Sequence, residues 1–483
     1  MIIWILLLIL LLILVVLVAR TFMFRSRQLR GVTADELPFD QEKAVKRLSG
    51  AIQIKTLSFA ESGEVDGRPF DEFHQYIERH FPNVHRVLKR ETIAGHSLLY
   101  TWMGKNTAKL PVLLMAHIDV VPVVEEEGKP WTRPAFSGEV FDDFIWGRGT
   151  LDDKGSLMSI LEAVEALLEN GFTPERTVYL AFGHDEEVGG DKGAAKIAET
   201  LQTRGVRLEY VLDEGGSVVE SFIGNLDVAV IGIAEKGYVT VKLTAEGVGG
   251  HSSQPPEHTA IGVLAEAIRN IEAHPRPLRT DGVLSTMLDY IGPEMSFGLK
   301  LVLANRWLFN PLLKAVLSNK ASLKAMMHTT RAFTLVSGGI KDNILPSSAS
   351  AWVNCRILPG ETVEETADFI RKAANNPELK IEIGEEINID PSPVSSIDSQ
   401  PFQWIQKSVS QIFPQAVAAP YLVLGGTDSK HFQPLTEAVF RFSPSAFHVD
   451  DLSTMHGRNE RIGVLSYRNM VRFYMQLLKN TME

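Results

Sequence analysis

The sequence predicts an α/β protein in which a mixed, mostly parallel β-sheet carries an inserted α+β domain, behind an apolar N-terminal helix. Three observations support this fold class. Short apolar strands alternate with helical segments from about residue 110, half-exposed strands begin near residue 236, and residues 2–19 carry no charge. Alternating strands and helices favour a parallel sheet that helices cover on both faces.

The composition of the 483-residue chain is typical of a globular protein with two or three domains. Hydrophobic residues make up 45% and charged residues 22%, which argues against wholesale disorder and against a fibrous protein. The single cysteine, Cys355, excludes an intrachain disulfide and a zinc site of several cysteines. The net charge of −11 argues against a nucleic-acid partner, because phosphate binding requires a basic face.

The N-terminal segment differs in kind from the rest of the chain. Residues 2–19 would rise about 27 Å as a helix, close to the ~30 Å of hydrocarbon in a bilayer. We therefore predict a transmembrane anchor over residues 1–20, with a cleaved signal peptide and a buried core helix as alternatives. Four arginines and no acid occur in residues 1–30, which by the positive-inside rule favours a cytoplasmic body. The opposite orientation is the alternative, so the side of the membrane stays open.

The first domain is predicted over residues 31–235 and resumes over 391–483. The helix predicted at residues 155–170 ends just before Gly171, and glycine is the residue that most often caps the C-terminus of a helix. Both its helices and its strands are recognised by the period of their apolar residues. In chain order they are a helix near 70–80, a strand at 110–116, a helix at 155–170, and strands at 177–182 and 209–212.

The second domain is predicted over residues 236–390, with the element order β-α-β-β-α-β of a ferredoxin-like unit. Alternation of apolar and polar residues from Val239 onward indicates a sheet with one exposed face. A long, irregular, apolar insert is expected at about 278–330, and within it residues 301–313 are either a lid or packing helix or a hydrophobic substrate surface. After the first strand, the elements are a helix at 259–274, strands at 332–336 and 350–358, a helix at 361–375 and a strand at 380–387.

Histidine and acidic side chains follow three apolar strands of the first domain. His117 and Asp119 follow one strand, Glu186 and Glu187 the next, and Asp213 the third. Ligands of open α/β sheets gather outside the carboxyl ends of the strands, so these groups are expected at one rim. Converging carboxylates require a cation, and histidine with carboxylate but no thiolate fits catalytic zinc. One member of the glutamate pair would bind metal and the other act as a base.

The motifs around these residues resemble the zinc aminoacylase/carboxypeptidase family over about residues 110–465. The resemblance implies a catalytic domain with two metal ions and an inserted lid that often serves dimerisation. The leader and the long insert look closest to the carboxypeptidase S and N-fatty-acyl amino acid synthase/hydrolase branches. The motifs are LLMAHIDVVP, WGRGTLDDKG, GHDEEVGG, VLDEGG, GGHSSQPP, VNCRILPGET, LGGTDSKHF and MHGRNERI.

The resemblance implies two zinc ions, with cobalt or manganese as alternative metals. Asp152 would bridge them, and Glu214 is an alternative to Asp213 because relatives vary at this position. The implied ligands are His117, Asp152, Glu187, Asp213 and His456.

Other roles carried by the resemblance concern catalysis and substrate binding. Glu186 would be the general base, Asp119 would orient a ligand histidine, and His251 of the lid would polarise the scissile carbonyl, sometimes from a partner subunit. A planar guanidinium suits a carboxylate through paired hydrogen bonds. The implied pocket for the substrate carboxylate is Asn354, Arg356, Gly426, Thr427 and Asp428.

The predicted function is zinc-dependent hydrolysis of an amide or peptide bond next to a free carboxylate, as in a carboxypeptidase S-like metallopeptidase. A fatty-acyl amino acid hydrolase or synthase is one alternative. A membrane-anchored binding or scaffold protein with a relict site is another, from a different class. The expected partners are a small peptide or N-acyl amino acid substrate, the membrane through the N-terminal helix, and a second copy of the chain through the lid.

Overall fold

A computed structural model describes residues 1–58, 66–123, 128–384 and 387–482. In the described part before the inserted domain, the helices are α1 (Ile2–Met23), α2 (Gln41–Ile52), α3 (Gly67–His80), α4 (Pro82–Val87), α5 (Lys154–Glu169) and α6 (Ala194–Thr203). The strands are β1 (Lys89–Ile93), β2 (Ser97–Trp102), β3 (Val112–His117), β4 (Val140–Phe141), β5 (Phe144–Trp146), β6 (Val178–Gly183), β7 (Tyr210–Asp213), β8 (Val218–Ile223) and β9 (Leu226–Glu235).

The middle of the chain has strands β10 (Gly237–Glu246), β11 (Gly250–His251), β12 (Thr330–Gly338), β13 (Ile344–Leu345), β14 (Ser348–Ile357) and β15 (Lys380–Ile383). Its helices are α7 (Ala260–Ala273), α8 (Gly282–Ile291), α9 (Phe297–Ala304), α10 (Arg306–Leu317), α11 (Ala321–Ala325) and α12 (Val363–Ala374). The last part contains α13 (Gln400–Ile412), β16 (Val417–Val423), β17 (Val439–Arg441), β18 (Ala446–His448), β19 (Arg461–Gly463) and α14 (Val464–Met482).

The first domain is built on a ten-stranded mixed sheet in the order β1-β2-β6-β3-β7-β17-β9-β8-β18, with β16 beside β9. β3 pairs in parallel with both β6 and β7, and β17 pairs in parallel with β7. The carboxyl ends of β3, β6 and β7 therefore meet at one edge. The predicted α/β class with a mixed, mostly parallel sheet is confirmed.

Helices cover both faces of this sheet, because its central strands are apolar on both sides. Every residue of β2 and β3 is buried. On one face α5 and α14 pack together above a large core that includes Leu161 and Phe473. On the other face, α6 and the 3-10 turn at 428–435 enclose a smaller core around Leu113 and Phe432. The sheet is thus a rigid platform for the loops at its rim.

The second domain has a separate four-stranded antiparallel sheet in the order β12-β14-β10-β15. The helices α7 and α12 cover one face, and their core is distinct from that of the first domain. Buried and half-buried residues alternate along β10, as predicted for a sheet with one exposed face. β15 is shorter than the predicted strand, of which residues 385–386 lie outside the described residues.

The insert between α7 and β12 is helical, so the expectation of an irregular segment is wrong. Four short helices, α8 to α11, are interrupted at Gly292 and Asn305, and no single helical period therefore runs through the sequence. Met287, Leu303 and Leu323 of these helices belong to the core of the first domain. The insert thus packs on the sheet of the first domain, with α8 against β16.

The N-terminal helix α1 is long and apolar enough to cross a membrane, with a mean hydropathy of 3.7. Only 6% of its most apolar stretch of 18 residues is buried. This argues against a buried core helix, which was one of the alternatives for this segment. Its last turns nevertheless contact the insert: Asn305 Nδ2 donates to the Leu17 carbonyl at 3.0 Å, and Arg20 Nε donates to the Ala304 carbonyl at 3.3 Å. An apolar N-terminal helix is therefore established, either as a signal sequence or as an anchor.

Candidate metal centre

His117 lies at the carboxyl end of β3, where its side chain is almost fully buried. Its Nε2 atom lies 2.9 Å from Asp152 Oδ1 and 3.5 Å from Glu214 Oε1. Asp152 lies two residues before the start of α5, and Glu214 immediately follows β7. One ligand atom of each residue falls within 4.8 Å of the others, which is the spacing of a group that could hold a metal ion.

A second ligand group uses the other oxygen of Asp152. Asp152 Oδ2 lies 2.7 Å from His456 Nε2, and this nitrogen lies 3.3 Å from Glu187 Oε2. The three residues form another group that could hold a metal ion. Asp152 belongs to both groups, so its carboxylate would be shared by two metal ions if each group held one.

The structure brings Glu214, and not the predicted ligand Asp213, to His117. Asp213 Oδ2 instead accepts a hydrogen bond of 2.8 Å from the Ser429 amide. The physical reason is the period of the strand, since successive side chains point to opposite faces of a sheet. Asp213 shares a face with Val211, which packs in the smaller core on the side of the 428–435 turn.

Asp119 stands behind His117 and connects three segments of the chain. The Nδ1 atom of His117 lies 3.0 Å from the main-chain oxygen of Asp119 and 3.4 Å from its carboxylate. That carboxylate accepts the Ser58 hydroxyl at 2.6 Å and the amides of Glu186 and Glu187, each at 3.2 Å. It therefore fixes the turn after β6 relative to the end of β3.

Glu186 and Glu187 begin the 3-10 turn after β6, and the structure gives them different surroundings. Glu187 belongs to a ligand group and Glu186 to neither. Both line a cavity of about 370 Å³ that His456 also borders. A carboxylate beside two metal positions that is not itself a ligand is available as a proton acceptor.

The electrostatics of the cluster favour bound cations. Burial raises the pKa of Glu187 and Glu214, and raises that of Glu186 well above its ordinary value. Burial also opposes ionisation of Asp152, but its hydrogen bonds to the two histidines outweigh this and lower its pKa. The His456 pKa is raised to about 10 by hydrogen bonds to Asp152 and Glu187.

A buried carboxylate oxygen without a hydrogen-bond partner also supports bound cations in this cluster. Within the described ranges, the buried Glu187 Oε1 has no hydrogen-bond partner. Buried polar atoms are normally hydrogen-bonded, and an exception indicates a functional role or a bound ion. The two groups together offer two imidazoles and three carboxylates and no thiolate, a ligand set that suits zinc, cobalt or manganese. These residues therefore fit a pair of divalent cations.

Two of the predicted substrate residues line the cavity of Glu186, namely Arg356 and Gly426. Arg356 reaches it from β14 of the second domain, with its guanidinium carbon 4.6 Å from the centroid of the Tyr238 ring. A cationic, half-buried guanidinium opposite Glu186 suits an anionic substrate group.

Thr427 and Asp428 are buried in the first domain and do not line this cavity. The amide and hydroxyl of Thr427 each donate to Glu235 Oε1 at 2.8 Å. Asp428 lies against the backbone at Gly183 and Gly190, and burial raises its pKa well above the ordinary value. Both side chains therefore support the loop that presents Gly426.

Asn354 and His251 lie on the second domain, away from the ligand cluster. Asn354 Nδ2 donates to Thr240 Oγ1 at 3.1 Å and lines a neighbouring cavity. His251 is exposed on β11, with its Nδ1 2.8 Å from Ser253 Oγ. The structure therefore does not bring His251 together with the ligands.

The sequence did not identify Glu460, which holds the backbone just before Asp152 in place. Its carboxylate is fully buried, pairs with Arg148, and accepts the Gly149 and Leu151 amides at 2.9 Å each. Arg148 also donates to the main-chain oxygen of His456 at 3.0 Å. Arg148 lies in the motif WGRGTLDDKG and Glu460 in MHGRNERI, so two opposite charges inside separate ligand motifs were the available signal.

The family model described as Peptidase family M20/M25/M40 matches residues 113–480. The chain belongs to this family. Among M20/M25/M40 relatives, "Probable carboxypeptidase S-like 2" of Dictyostelium discoideum is 42% identical over 90% of this chain and 84% of its own length. "N-fatty-acyl-amino acid synthase/hydrolase PM20D1" of Mus musculus is 38% identical over 94% and 92%. Carboxypeptidase S of Saccharomyces cerevisiae is 31% identical over 92% and 85%.

Solved structures support the same M20 fold. An M20 family metallo-carboxypeptidase from Sulfolobus solfataricus superposes with a TM-score of 0.64 at 19% identity, over 90% of this chain and 98% of that one. Human carnosine dipeptidase 1 superposes with a TM-score of 0.60 at 15% identity, over 92% and 96%. The prediction of a metal-dependent hydrolase of this M20 family is confirmed.

Proposed function

We propose that the chain uses two zinc ions to hydrolyse an amide or peptide bond next to a free carboxylate. The observation that carries this proposal is the shared Asp152, which joins the two ligand groups beside a non-ligand glutamate, Glu186. Arg356 in the same cavity supports an anionic substrate group. The substrates are small peptides or N-acyl amino acids, as in the names of the relatives.

The reaction divides among residues of the centre. The zinc ions would be held by His117, Asp152 and Glu214 on one side and by Asp152, Glu187 and His456 on the other. When bound, zinc polarises a carbonyl oxygen and lowers the pKa of water. Glu186 accepts a proton from the attacking water and transfers it to the leaving nitrogen. Arg356 and the Gly426 backbone orient the substrate carboxylate.

For the second domain we propose the role of a lid and dimer contact. The chain crosses to it and back at neighbouring points, where Glu235 N donates to Ser392 Oγ at 2.8 Å. His251 is exposed there, and its proposed action on the carbonyl requires closure of the lid or a second subunit. Mixing inactive His251→Ala and Glu186→Gln chains tests the latter: restored activity supports action across subunits, and no restoration contradicts it.

For α1 we propose an uncleaved membrane anchor. Its contacts with the insert support retention, because Asn305 is buried between α1 and its own helix turn. The N-terminal sequence of the protein purified from cells tests this. Recovery of the intact N-terminus in the membrane fraction is expected, and a soluble chain that begins after Met23 would contradict the anchor.

A second cavity beside the ligand cluster bears on whether the substrate is a peptide or a fatty-acyl amino acid. It measures about 190 Å³, includes Glu214, and is lined largely by apolar side chains such as Phe222 and Leu323. This cavity favours an apolar group on the acyl side of the scissile bond. Turnover of a blocked Gly-Leu dipeptide and of N-oleoyl-leucine distinguishes the two. Clear preference for the dipeptide would reject the fatty-acyl alternative.

The remaining alternative is a binding or scaffold protein with a relict site. The intact ligand groups and the free glutamate argue against it. Metal analysis with the same two substrates decides between the classes. We expect two metal ions per chain and chelator-sensitive hydrolysis, whereas less than one ion with no hydrolysis would defeat the enzymatic proposal.

A further inference from the structure

Helix α10 exposes an apolar stripe where a surface helix normally exposes polar residues. Leu308, Leu312 and Val316 follow one another at the helical spacing of four, with exposed fractions of 43%, 54% and 56%. Trp307 beside them is 58% exposed. The opposite face carries Leu313 and Leu317 into the protein core. The outward stripe is therefore not required for the packing of α10.

This stripe begins at the base of α1. Asn305, the residue before α10, donates to the Leu17 carbonyl at 3.0 Å, and Trp307 Nε1 donates to Asn305 Oδ1 at 3.4 Å. Nearby, the exposed Phe22 of α1 lies 6.2 Å from Phe297 of α9, measured between ring centroids. The apolar surface of α1 thus continues into α9 and α10.

The charge of the insert differs in sign from that of the whole chain. Residues 282–325 contain five basic and two acidic residues, although the chain carries a net charge of −11. Both acids are paired, Asp289 with Arg306 at 2.5 Å and Glu294 with Arg30 at 2.6 Å. A helix with bulky apolar residues and basic flanks is typical of a segment that lies in a membrane interface.

We propose that the outward stripe of α10 lies on a lipid bilayer. The bilayer is favoured as the occupant because α1 delivers a helix of membrane-spanning length to the same surface. An apolar stripe with a tryptophan at its edge fits the boundary between headgroups and acyl chains. The first domain is then held flat against the membrane by α10, and not only tethered to it by α1.

The orientation has a consequence for the active site, which rests on the function proposed above. α10 spans 12 residues, so it extends about 18 Å from the base of α1. The residues that follow it, Lys320, Ser322 and Leu323, line the apolar cavity that includes Glu214. A hydrophobic acyl group that resides in the bilayer would therefore reach the metal centre along this side.

A site-specific fluorophore tests the bilayer contact directly. The native Cys355 is buried, so Leu312→Cys can be labelled selectively with an environment-sensitive dye on the full-length chain. Val87→Cys is the matched control, on α4 against α5 and 47% exposed. In vesicles of neutral and anionic phospholipids, we expect a blue shift and quenching by lipids with brominated acyl chains for Leu312→Cys only.

Two outcomes would overturn the proposal. Equal, water-like emission from both labelled variants would place the stripe in solvent. A blue shift at Leu312→Cys without quenching by the brominated lipids would place protein on the stripe, as in self-association. Neither readout depends on hydrolysis, so a failure of the bilayer contact is distinguishable from a failure of the proposed function.

A kinetic experiment tests the consequence for the active site. The variant Leu308→Ser/Leu312→Ser/Val316→Ser should have a several-fold higher KM for N-oleoyl-leucine in vesicles. Its KM and kcat for the soluble N-acetyl-leucine should equal those of the wild type, which also shows that it folds. An unchanged KM for the vesicle-borne substrate, or equal losses on both substrates, would contradict the route through α10.

Discussion

At the scale of single residues, Glu186 is the proposed base and is distinct from the candidate metal ligands. It lies outside both ligand groups but shares a cavity with Glu187 and His456. We expect Glu186→Gln to retain both metal ions and to lose about 10²- to 10⁴-fold in kcat, the range for a general acid–base. Glu187→Gln is the matched variant and should lose metal as well. Near-normal kcat in metal-loaded Glu186→Gln would contradict the role of base.

The neighbouring residues Asp213 and Glu214 give a second contrast. Glu214 faces His117, whereas Asp213 accepts the Ser429 amide. We expect Glu214→Ala to bind one metal ion fewer per chain, because it removes a ligand from one group. Asp213→Asn retains an acceptor for the Ser429 amide and should keep both ions. Metal analysis by mass spectrometry checks the pair, and the reverse result would restore Asp213 as the ligand.

The same pair shows why the sequence predicted the site only in part. The strand–acid pattern identifies the rim, because parallel strands end at one edge. Which of two adjacent acids faces the metal depends on the side of the sheet to which each points. That in turn depends on where β7 ends and on the packing of Val211 against the 428–435 turn. Such packing is a tertiary property that motif reading does not contain.

At the scale of elements, Glu460 ties the loop before α5 to the loop of His456. Glu460 pairs with Arg148 and accepts hydrogen bonds from the backbone amides of Gly149 and Leu151, just before Asp152. The carboxylate is fully buried, and this burial raises the pKa of Glu460 to about 7. We expect Glu460→Gln to lower the free energy of unfolding by ~3–5 kcal/mol, the usual cost of breaking a buried ion pair. Its metal affinity should fall too, since Asp152 loses its support.

Denaturant unfolding and zinc titration measure these two effects. Glu91→Gln is a matched control, because Glu91 pairs with Arg204 at 2.8 Å on the surface. Such exposed pairs contribute ~0–1 kcal/mol, so this variant should be almost as stable as the wild type. Equal stability losses in the two variants would show that Glu460 has no special structural role.

Elements differ in how well the sequence predicted them. The strands β3, β6 and β7 were predicted to within two residues, because they are continuous apolar runs buried on both faces. In the insert, the sequence offered a helix only at residues 301–313, as one of two interpretations, since each helix is short and α10 is apolar on its exposed as well as its buried face. Amphipathic periodicity recognises a helix only when its outward face is polar.

At the scale of the whole molecule, residues of both domains line the cavity proposed for the substrate. Glu186 lies in the first domain, and Arg356 reaches the same cavity from the second. The chain leaves the first domain at Glu235, whose buried carboxylate accepts hydrogen bonds from the Thr427 amide at 2.8 Å and from Arg441 Nη2 at 2.9 Å. Motifs identified both halves of the cavity, but their juxtaposition required the three-dimensional packing.

The metal ions should also hold the molecule together, because their ligands come from widely separated parts of the chain. His117 ends β3, Glu187 follows β6, and His456 precedes the last strand of the C-terminal region. A ligand that binds only the folded state stabilises it by about 4 kcal/mol when its free concentration is 1,000 times its Kd. We therefore expect a chelator to lower the Tm by several degrees and to expose the loop of His456 to protease. Readdition of zinc should restore both properties together with activity. Loss of activity with an unchanged Tm and protease pattern would mean that the metal serves the chemistry alone and that the buried Arg148–Glu460 pair maintains the rim without it.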